Sequence, residues 1–212
     1  MKPRTLIFGL VALFFSAATA MAKSHIIAIV DTSAFVQDET DAELRHKMLL
    51  ATFLDNMPRG SVLSVIDTVS PSVKWHGNAK KAQRELDQLL AIMKPNPRGC
   101  ADLTRALDHA EMAIQRSESK DIRFLMLSPL VHSGAPCGGT VKLPQPLPED
   151  AKPERFLNEK RITAWELYAP HELQTLEWFG FLQEAASNGR VTVRMFSAAE
   201  APEALAKLAE RD

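Results

Sequence analysis

The stretch that decides the fold is His25-Ile-Ile-Ala-Ile-Val-Asp-Thr-Ser33, an apolar, β-branched run that ends in one acidic and two hydroxyl side chains. A continuous apolar run of this length predicts a strand buried on both faces, as in a parallel sheet. Ligands of parallel α/β sheets meet the crevice beyond the carboxyl ends of the strands. Asp31-Thr32-Ser33 is therefore expected at the functional edge of the sheet.

Similar runs alternate with helical patterns along the rest of the chain. This alternation predicts one α/β domain with a doubly wound, mostly parallel six-stranded sheet and helices on both faces. Strands are predicted at 25–30, 61–66, 73–75, 122–127, 162–168 and 191–196, and helices at about 40–57, 82–93, 102–114, 171–187 and 197–210.

The first 22 residues have the pattern of a secretory signal peptide. Lys2 and Arg4 precede an apolar run from Leu6 to Phe15, and small residues follow at Ala20 and Ala22. This pattern predicts cleavage after Ala22, with a membrane anchor as the alternative. No later stretch is long and apolar enough to span a membrane. A single mature domain over 23–212 is therefore expected in the periplasm or outside the cell, most naturally in a Gram-negative envelope.

The charge balance is mild. The 212-residue chain has a formal net charge of −1, and removal of Lys2 and Arg4 with the signal peptide brings it to about −3. This value argues against nucleic acid or an acidic membrane as the main partner. Neither a phosphate-binding glycine loop nor zinc-ligand spacing occurs, so no cofactor is predicted from these motifs.

The chain contains two cysteines, Cys100 and Cys137, both in segments rich in glycine and proline. In an oxidising compartment they are expected to form a disulfide; two separate buried thiols are the alternative. Cys137 lies in a long proline-rich segment, 129–158, that is predicted to be a loop.

Three segments, in the right order, carry a resemblance to a known family. They are Asp31-Thr32-Ser33-Ala34-Phe35 after the first strand, Gly99 to Leu107 at the start of a helix, and Leu125-Met126-Leu127-Ser128-Pro129 at the end of another strand. Together they resemble the von Willebrand factor type A (vWA) domain over about residues 25–209. The resemblance implies a Rossmann-like vWA fold.

The resemblance also implies a metal-ion-dependent adhesion site for Mg²⁺, but with several ligands replaced. Asp31 and Ser33 are kept, whereas Phe35, Ala101 and Ser128 stand where the family carries a second serine, a threonine and an acidic residue. Because Mg²⁺ requires a near-octahedral set of oxygen ligands, these changes predict a degenerate, metal-free site. The alternative is an Mg²⁺-dependent adhesion module that still uses Asp31 and Ser33.

The expected function is that of an exported, non-enzymatic protein-binding or scaffold protein, as an accessory to an envelope assembly. Its partner is expected to be a protein, whose identity the sequence does not reveal. The resemblance also suggests that a Cys100–Cys137 disulfide replaces the metal ion as the link that holds the loops together at this edge of the sheet. The partner-binding loop end is predicted to contain Asp31, Ser33, Phe35, Asp102, Ser128 and His132.

Three local alternatives remain open. Asp102 is better explained as the N-cap of a helix. Ser128 and His132 are the nearest approach to a hydrolase pair, although no Gly-x-Ser-x-Gly motif is present. The helix at 171–187 is apolar on more than one side, through Leu176, Trp178, Phe179, Phe181 and Leu182. It is either wedged deeply into the domain or exposes an aromatic patch to a partner.

Overall fold

A computed structural model describes residues 24–33, 42–96, 98–133, 141, 143, 146–156, 158–187 and 189–211. The signal segment 1–22, Phe35, Cys137 and much of the 129–158 loop lie outside these residues. The strands are β1 (His25–Val30), β2 (Val62–Asp67), β3 (Val73–Asn78), β4 (Ile122–Leu127), β5 (Ile162–Tyr168) and β6 (Thr192–Phe196). The α-helices are α1 (Ala42–Asp55), α2 (Ala79–Arg84), α3 (Leu86–Ile92), α4 (Leu103–Gln115), α5 (Glu172–Ser187) and α6 (Ala201–Ala206).

The strands form one sheet in the order β3-β2-β1-β4-β5-β6. All neighbouring pairs are parallel except β2 and β3, which pair antiparallel at one edge. The predicted α/β fold with a mostly parallel six-stranded sheet is therefore confirmed. β1 lies between β2 and β4, and in this register Val30 is level with Asp67 on one side and Leu127 on the other.

The strand β1 contributes to two separate hydrophobic clusters, because successive side chains of a strand point to opposite faces. Ile26, Ala28 and Val30 pack in one cluster with side chains of α1 and α6. Ile27 and Ile29 pack in the other with side chains of α4 and α5. This alternation explains why the first strand is apolar at every position after His25.

The helix α4 follows its predicted pattern closely. Its buried residues include Leu103, Ala106, Leu107, Ala110 and Ile114, whose spacing in the sequence is that of one helix face. They join the cluster that contains Ile27 and Ile29. Local periodicity is sufficient here because one face of α4 packs on the sheet.

Two predicted helices differ from the structure. The single helix expected at 82–93 is divided into α2 and α3 at Glu85, whose carboxylate accepts a hydrogen bond from Trp75 Nε1 at 2.8 Å. This contact with β3 is a tertiary contact that helical spacing does not reveal. The final helix is also shorter than predicted, because α6 ends at Ala206 and the chain continues as a 3₁₀ turn at Leu208–Arg211.

The helices within the described ranges include none with both the length and the apolar character needed to cross a bilayer.

Candidate functional site

Three polar residues meet where β1, β2 and β4 end. Asp31, Thr68 and Ser128 each directly follow one of these strands. The backbone continues the pairing for one more step, because Asp31 N–H donates to Leu127 O (3.0 Å) and Thr68 N–H donates to Val30 O (3.2 Å). Parallel strands bring their carboxyl ends to the same edge, so these side chains converge.

The carboxylate of Asp31 is the centre of this group, and it is fully buried. Its Oδ1 accepts hydrogen bonds from Ser33 N–H (2.7 Å) and Thr68 Oγ1 (3.1 Å). Its Oδ2 accepts one from Ser128 Oγ (3.2 Å). Burial raises the pKa of Asp31, and the hydrogen bonds from Ser33, Thr68 and Ser128 oppose that rise. Both carboxylate oxygens are thus engaged inside the protein.

Ser33 has two different environments. Its backbone N–H donates to Asp31, but its buried hydroxyl oxygen has no hydrogen-bond partner of good geometry among the residues that the structure describes. A buried hydroxyl without a partner is unfavourable by about 1–3 kcal/mol. Among the described side chains of this cluster, Ser33 Oγ is therefore the polar atom left without a well-formed hydrogen bond.

A second aspartate reinforces the same edge, and the sequence analysis did not identify it. Asp67 is the last residue of β2, and it accepts hydrogen bonds from Thr32 Oγ1, from Val69 N–H (3.1 Å) and from Ser70 N–H (3.1 Å). It thereby joins the loop after β1 to the loop after β2. A sequence signal was present, because the same pattern of an apolar residue and then Asp-Thr occurs at the ends of β1 and β2.

Ser128 is held from both directions. Its hydroxyl donates to Asp31 and accepts a hydrogen bond from Leu130 N–H at 3.0 Å. Leu130 has a φ of 63°, in the left-handed region that non-glycine residues rarely adopt. The turn after β4 is therefore stabilised by Ser128, which links it to the end of β1.

His132 and Asp102 lie beside the beginning of α4. Asp102 is its N-cap, with Oδ1 accepting from Arg105 N–H at 3.0 Å, as the local alternative predicted. His132 Nδ1 accepts from Leu103 N–H at 3.1 Å. Burial lowers the pKa of His132, although Asp102 and Asp150 oppose this, and the neutral ring is the form that accepts at Nδ1.

The loop after β4 is tied to the segment before α4 by a backbone pair as well. Ser133 N–H donates to Ala101 O (2.9 Å), and Ala101 N–H donates to Ser133 Oγ (3.0 Å). Cys100, which does not have a free thiol, directly precedes this pair. Its predicted partner Cys137 lies outside the described residues, so the disulfide pairing stays a prediction.

The structure therefore divides the predicted site residues into two groups. Asp31, Ser33 and Ser128 are buried together and hold the loops in position. Asp102 and His132 are half-buried at the start of α4, nearer to the surface. Phe35, the remaining member, lies outside the described residues.

The described side chains do not match the oxygen set that Mg²⁺ prefers. Asp31 already accepts from three donors, Ser128 contributes a hydroxyl in place of a carboxylate, and Ala101 contributes no side-chain oxygen. In the described part of the chain, no three His, Cys, Asp or Glu residues are grouped so that they could hold a metal ion. Among the described oxygens of this cluster, Ser33 Oγ is the one without a hydrogen bond that would compete with a cation.

The geometry also bears on the hydrolase alternative. A serine nucleophile requires a base within hydrogen-bond reach of its hydroxyl. Ser128 Oγ instead contacts Asp31 and Leu130, while His132 Nδ1 contacts Leu103. The structure does not join Ser128 and His132 as a nucleophile and its base.

Comparison with known proteins identifies the fold of the chain but does not assign it to a sequence family. No protein-family profile and no curated protein sequence matches the chain. Among solved structures, the PilB minor pilin from Streptococcus sanguinis is similar, with a TM-score of 0.56 and 12% identity over 91% of this chain and 62% of that one. A von Willebrand factor type A protein from Catenulispora acidiphila is similar with a TM-score of 0.53 and 15% identity, over 90% and 43%.

A third similar structure is an aerotolerance-related membrane protein from Bacteroides fragilis, solved with multiple mutations to serines. Its TM-score is 0.50 at 14% identity, over 89% of this chain and 99% of that chain. The chain spans less than two thirds of the pilin and of the Catenulispora protein. These identities support a likeness of fold alone. They confirm the predicted resemblance: the chain has the fold of a von Willebrand factor type A domain.

Proposed function

We propose that the protein is an exported, non-enzymatic protein-binding or scaffold protein whose vWA-type domain works without a metal ion. The observation that carries this proposal is the state of Asp31. Its buried carboxylate accepts hydrogen bonds from Ser33 N–H, Thr68 Oγ1 and Ser128 Oγ. Donors within the chain thus occupy the carboxylate that a bound cation would need.

The loop end is the part of the sheet best placed to meet a partner. We infer from the two hydrophobic clusters that helices cover both faces of the sheet. The carboxyl edge of the strands is then left for recognition, as in other folds of this class. Of the predicted site residues, Asp102 and His132 are the more exposed ones there, and the buried Asp31 cluster would act by holding their loops in place.

A rigid loop end favours binding because less conformational entropy is lost when the partner docks. The hydrogen bonds between Ala101 and Ser133 and between His132 and Leu103 supply part of that rigidity. We propose that a Cys100–Cys137 disulfide supplies more, closing a loop of about 38 residues and contributing roughly 3–4 kcal/mol. Peptide mapping without reduction that found both thiols free would exclude this part of the proposal.

The setting in the cell envelope is also a proposal. The signal-like segment 1–22 suggests export. Two of the similar structures are described as a minor pilin and a membrane protein. An accessory role in an envelope assembly is consistent with both observations.

Site-specific photo-crosslinking in the native cells tests the binding function. A crosslinking amino acid at Arg105, whose side chain is 74% exposed in the first turn of α4, is expected to yield one discrete protein adduct. Lys120 is the matched control, because it is exposed and precedes β4 at the opposite edge of the sheet. The same adduct from both positions, or no adduct from Arg105, would contradict binding at the loop end.

The metal-free character needs a separate test. Calorimetric titration of the purified protein with Mg²⁺ and then Mn²⁺ is expected to give no binding heat. Clear binding that is lost in Asp31→Ala would instead favour the adhesion alternative, for which the unpartnered Ser33 Oγ is the supporting observation. That result would overturn the metal-free part of the proposal without deciding the crosslinking outcome.

A further inference from the structure

The helix α5 is apolar on two opposite sides. Its inner side contributes Trp178 and Leu182, which are fully buried in the core. Its outer side exposes Leu173 (48%), Leu176 (81%) and Phe179 (47%). Residues three apart lie on neighbouring positions of a helix surface, so these three side chains form one stripe. Helices that are apolar all round are normally buried on all sides, whereas the described residues bury α5 on one side alone.

Gly180 lies beside this stripe, one helical turn after Leu176. A Cβ atom at Gly180 would meet nothing within 4 Å, so no contact with the described residues requires a glycine there. Glycine in the interior of a helix is less favourable than alanine by about 1 kcal/mol. A missing side chain on an exposed face does, however, let another backbone approach closely.

The charges of α5 indicate what kind of partner fits the stripe. The helix carries three glutamates, Glu172, Glu177 and Glu184, and no lysine or arginine. Glu172 and Glu184 are exposed, and Glu177 accepts a hydrogen bond from Leu147 N–H at 2.7 Å. A second copy of α5 would bring like charges together, and an anionic membrane would be repelled. A segment with basic residues beside its apolar ones is complementary.

We propose that Leu173, Leu176, Phe179 and Gly180, here called the α5 outer face, form a docking surface for a cationic amphipathic helix of a partner protein. Leu176 is the central anchor because it is the most exposed of the three large side chains. Gly180 admits the partner backbone, and the glutamates of α5 face lysine or arginine side chains on its flanks. Recognition of an amphipathic helix through side chains spaced three or four residues apart is a recurring mode.

This surface is separate from the Asp31 cluster, although the two lie on adjacent parts of the domain. The segment before α5 is tied to the turn after β4 by His171 N–H, which donates to Pro129 O at 3.0 Å. The α5 outer face extends from there along the helix. Its test therefore uses variants that leave Asp31, Ser128 and the start of α4 unchanged.

The probe is a fluorescent synthetic peptide of about 18 residues with leucine and lysine at helical spacing. The matched peptide has glutamate in place of lysine. Fluorescence anisotropy with the whole protein is expected to show binding of the lysine peptide. The glutamate peptide is expected to bind at least about tenfold more weakly. Leu176→Ala is expected to weaken binding of the lysine peptide by about tenfold, as removal of a buried leucine side chain does.

Gly180→Ala is a more specific test, because it should increase the thermal stability of the protein and at the same time weaken peptide binding. The variant is expected to raise the melting temperature, since alanine is the better helix former and meets no neighbour within 4 Å. It is expected to weaken peptide binding, since the new methyl group lies where the partner backbone approaches. Met48→Ala is the control, because Met48 is 60% exposed on α1, outside this surface, and its loss should leave binding unchanged.

Four results would overturn the proposal. They are no binding of the lysine peptide to the wild-type protein, equal binding to Leu176→Ala, equal binding of both peptides, and tighter binding to Gly180→Ala. A concentration-dependent dimer that Leu176→Ala abolishes would assign the surface to a second copy instead. Binding to anionic phospholipid vesicles that Leu176→Ala abolishes would assign it to a membrane.

Discussion

Ser128 and Asp31 are joined by a hydrogen bond of 3.2 Å between the ends of β4 and β1, from the serine hydroxyl to a buried carboxylate oxygen. The same hydroxyl accepts from Leu130 N–H. One side chain thus serves the carboxylate of Asp31 and the turn after β4 at once. In a metal-binding relative an acidic residue is expected at this position, and it would repel Asp31 in the absence of a cation.

Ser128→Ala is expected to lower the free energy of unfolding by about 1–3 kcal/mol, because it leaves the buried Leu130 N–H without its acceptor and Asp31 with one donor fewer. Urea unfolding followed by circular dichroism measures the change. Ser72→Ala is the control, since its hydroxyl is exposed and contacts a single backbone oxygen. A loss no greater than that of the control would show that this hydroxyl does not stabilise the edge.

The stability of the protein should depend on pH through His25. Burial, followed by the charges of His76 and Arg161, lowers the pKa of His25 to about 4 from 6.5. The unfolded chain therefore binds a proton between pH 6.5 and 4 that the folded protein does not bind. Stability from His25 is fully present above pH 6.5 and is lost as the pH falls toward 4, by about 3 kcal/mol at most.

His25→Gln isolates this effect, because glutamine does not titrate and can still bond Ser64, which His25 Nε2 contacts at 2.9 Å. The raised pKa of Asp31 gives an opposite slope, with stability falling as the pH rises above 3.8, but that slope is common to both proteins. The free energy of unfolding of the wild type should exceed that of the variant by less at pH 4 than at pH 7. A constant difference across that range would contradict a neutral, buried His25.

Arg123→Leu is expected to destabilise the protein by about 3 kcal/mol. Arg123 is buried and pairs with the fully buried Glu166 at 3.2 Å, and removal of one partner leaves part of a buried charge uncompensated. The estimate is at the lower end of the range for buried pairs because Arg194 also bonds Glu166, at 2.8 Å. Thermal unfolding measures the change, and an Arg123→Leu/Glu166→Leu double variant should lose less than the two single variants summed.

Gly99→Ala should be destabilising by about 1–3 kcal/mol, because a Cβ atom there would lie 2.6 Å from Cγ1 and 2.8 Å from Cγ2 of Val69. Gly99 follows a loop that contacts the segment after β1, where Asn96 N–H donates to Thr32 O (2.7 Å). Gly180→Ala is the matched control, with the opposite expected sign. Equal melting temperatures for Gly99→Ala and the wild type would show that the two loops can move apart without loss.

Much of the fold could be predicted because its signals are local. β1 has an apolar residue at nearly every position since both of its faces are buried, and α4 shows one apolar face since it packs on one side. The N-cap hydrogen bond at Asp102 joins residues that are three positions apart, so it can be predicted from the local sequence alone. The division of the helix at Glu85 could not be predicted from the sequence, because it accompanies a hydrogen bond from Trp75 on another element.

By itself, the sequence determined the order of strands and helices, the vWA-type resemblance and the position of Asp31 at the end of the first strand. The tertiary structure alone decided how that carboxylate is used. Its hydroxyl donors are Thr68, 37 residues away, and Ser128, 97 residues away, and no periodicity connects such positions. The same holds for α5, whose two apolar sides look equivalent in sequence until packing against the sheet buries Trp178 and leaves Leu176 exposed. Burial and hydrogen bonding between distant segments are properties of the folded chain, and they distinguish a carboxylate held by hydroxyl groups from one free to bind an ion.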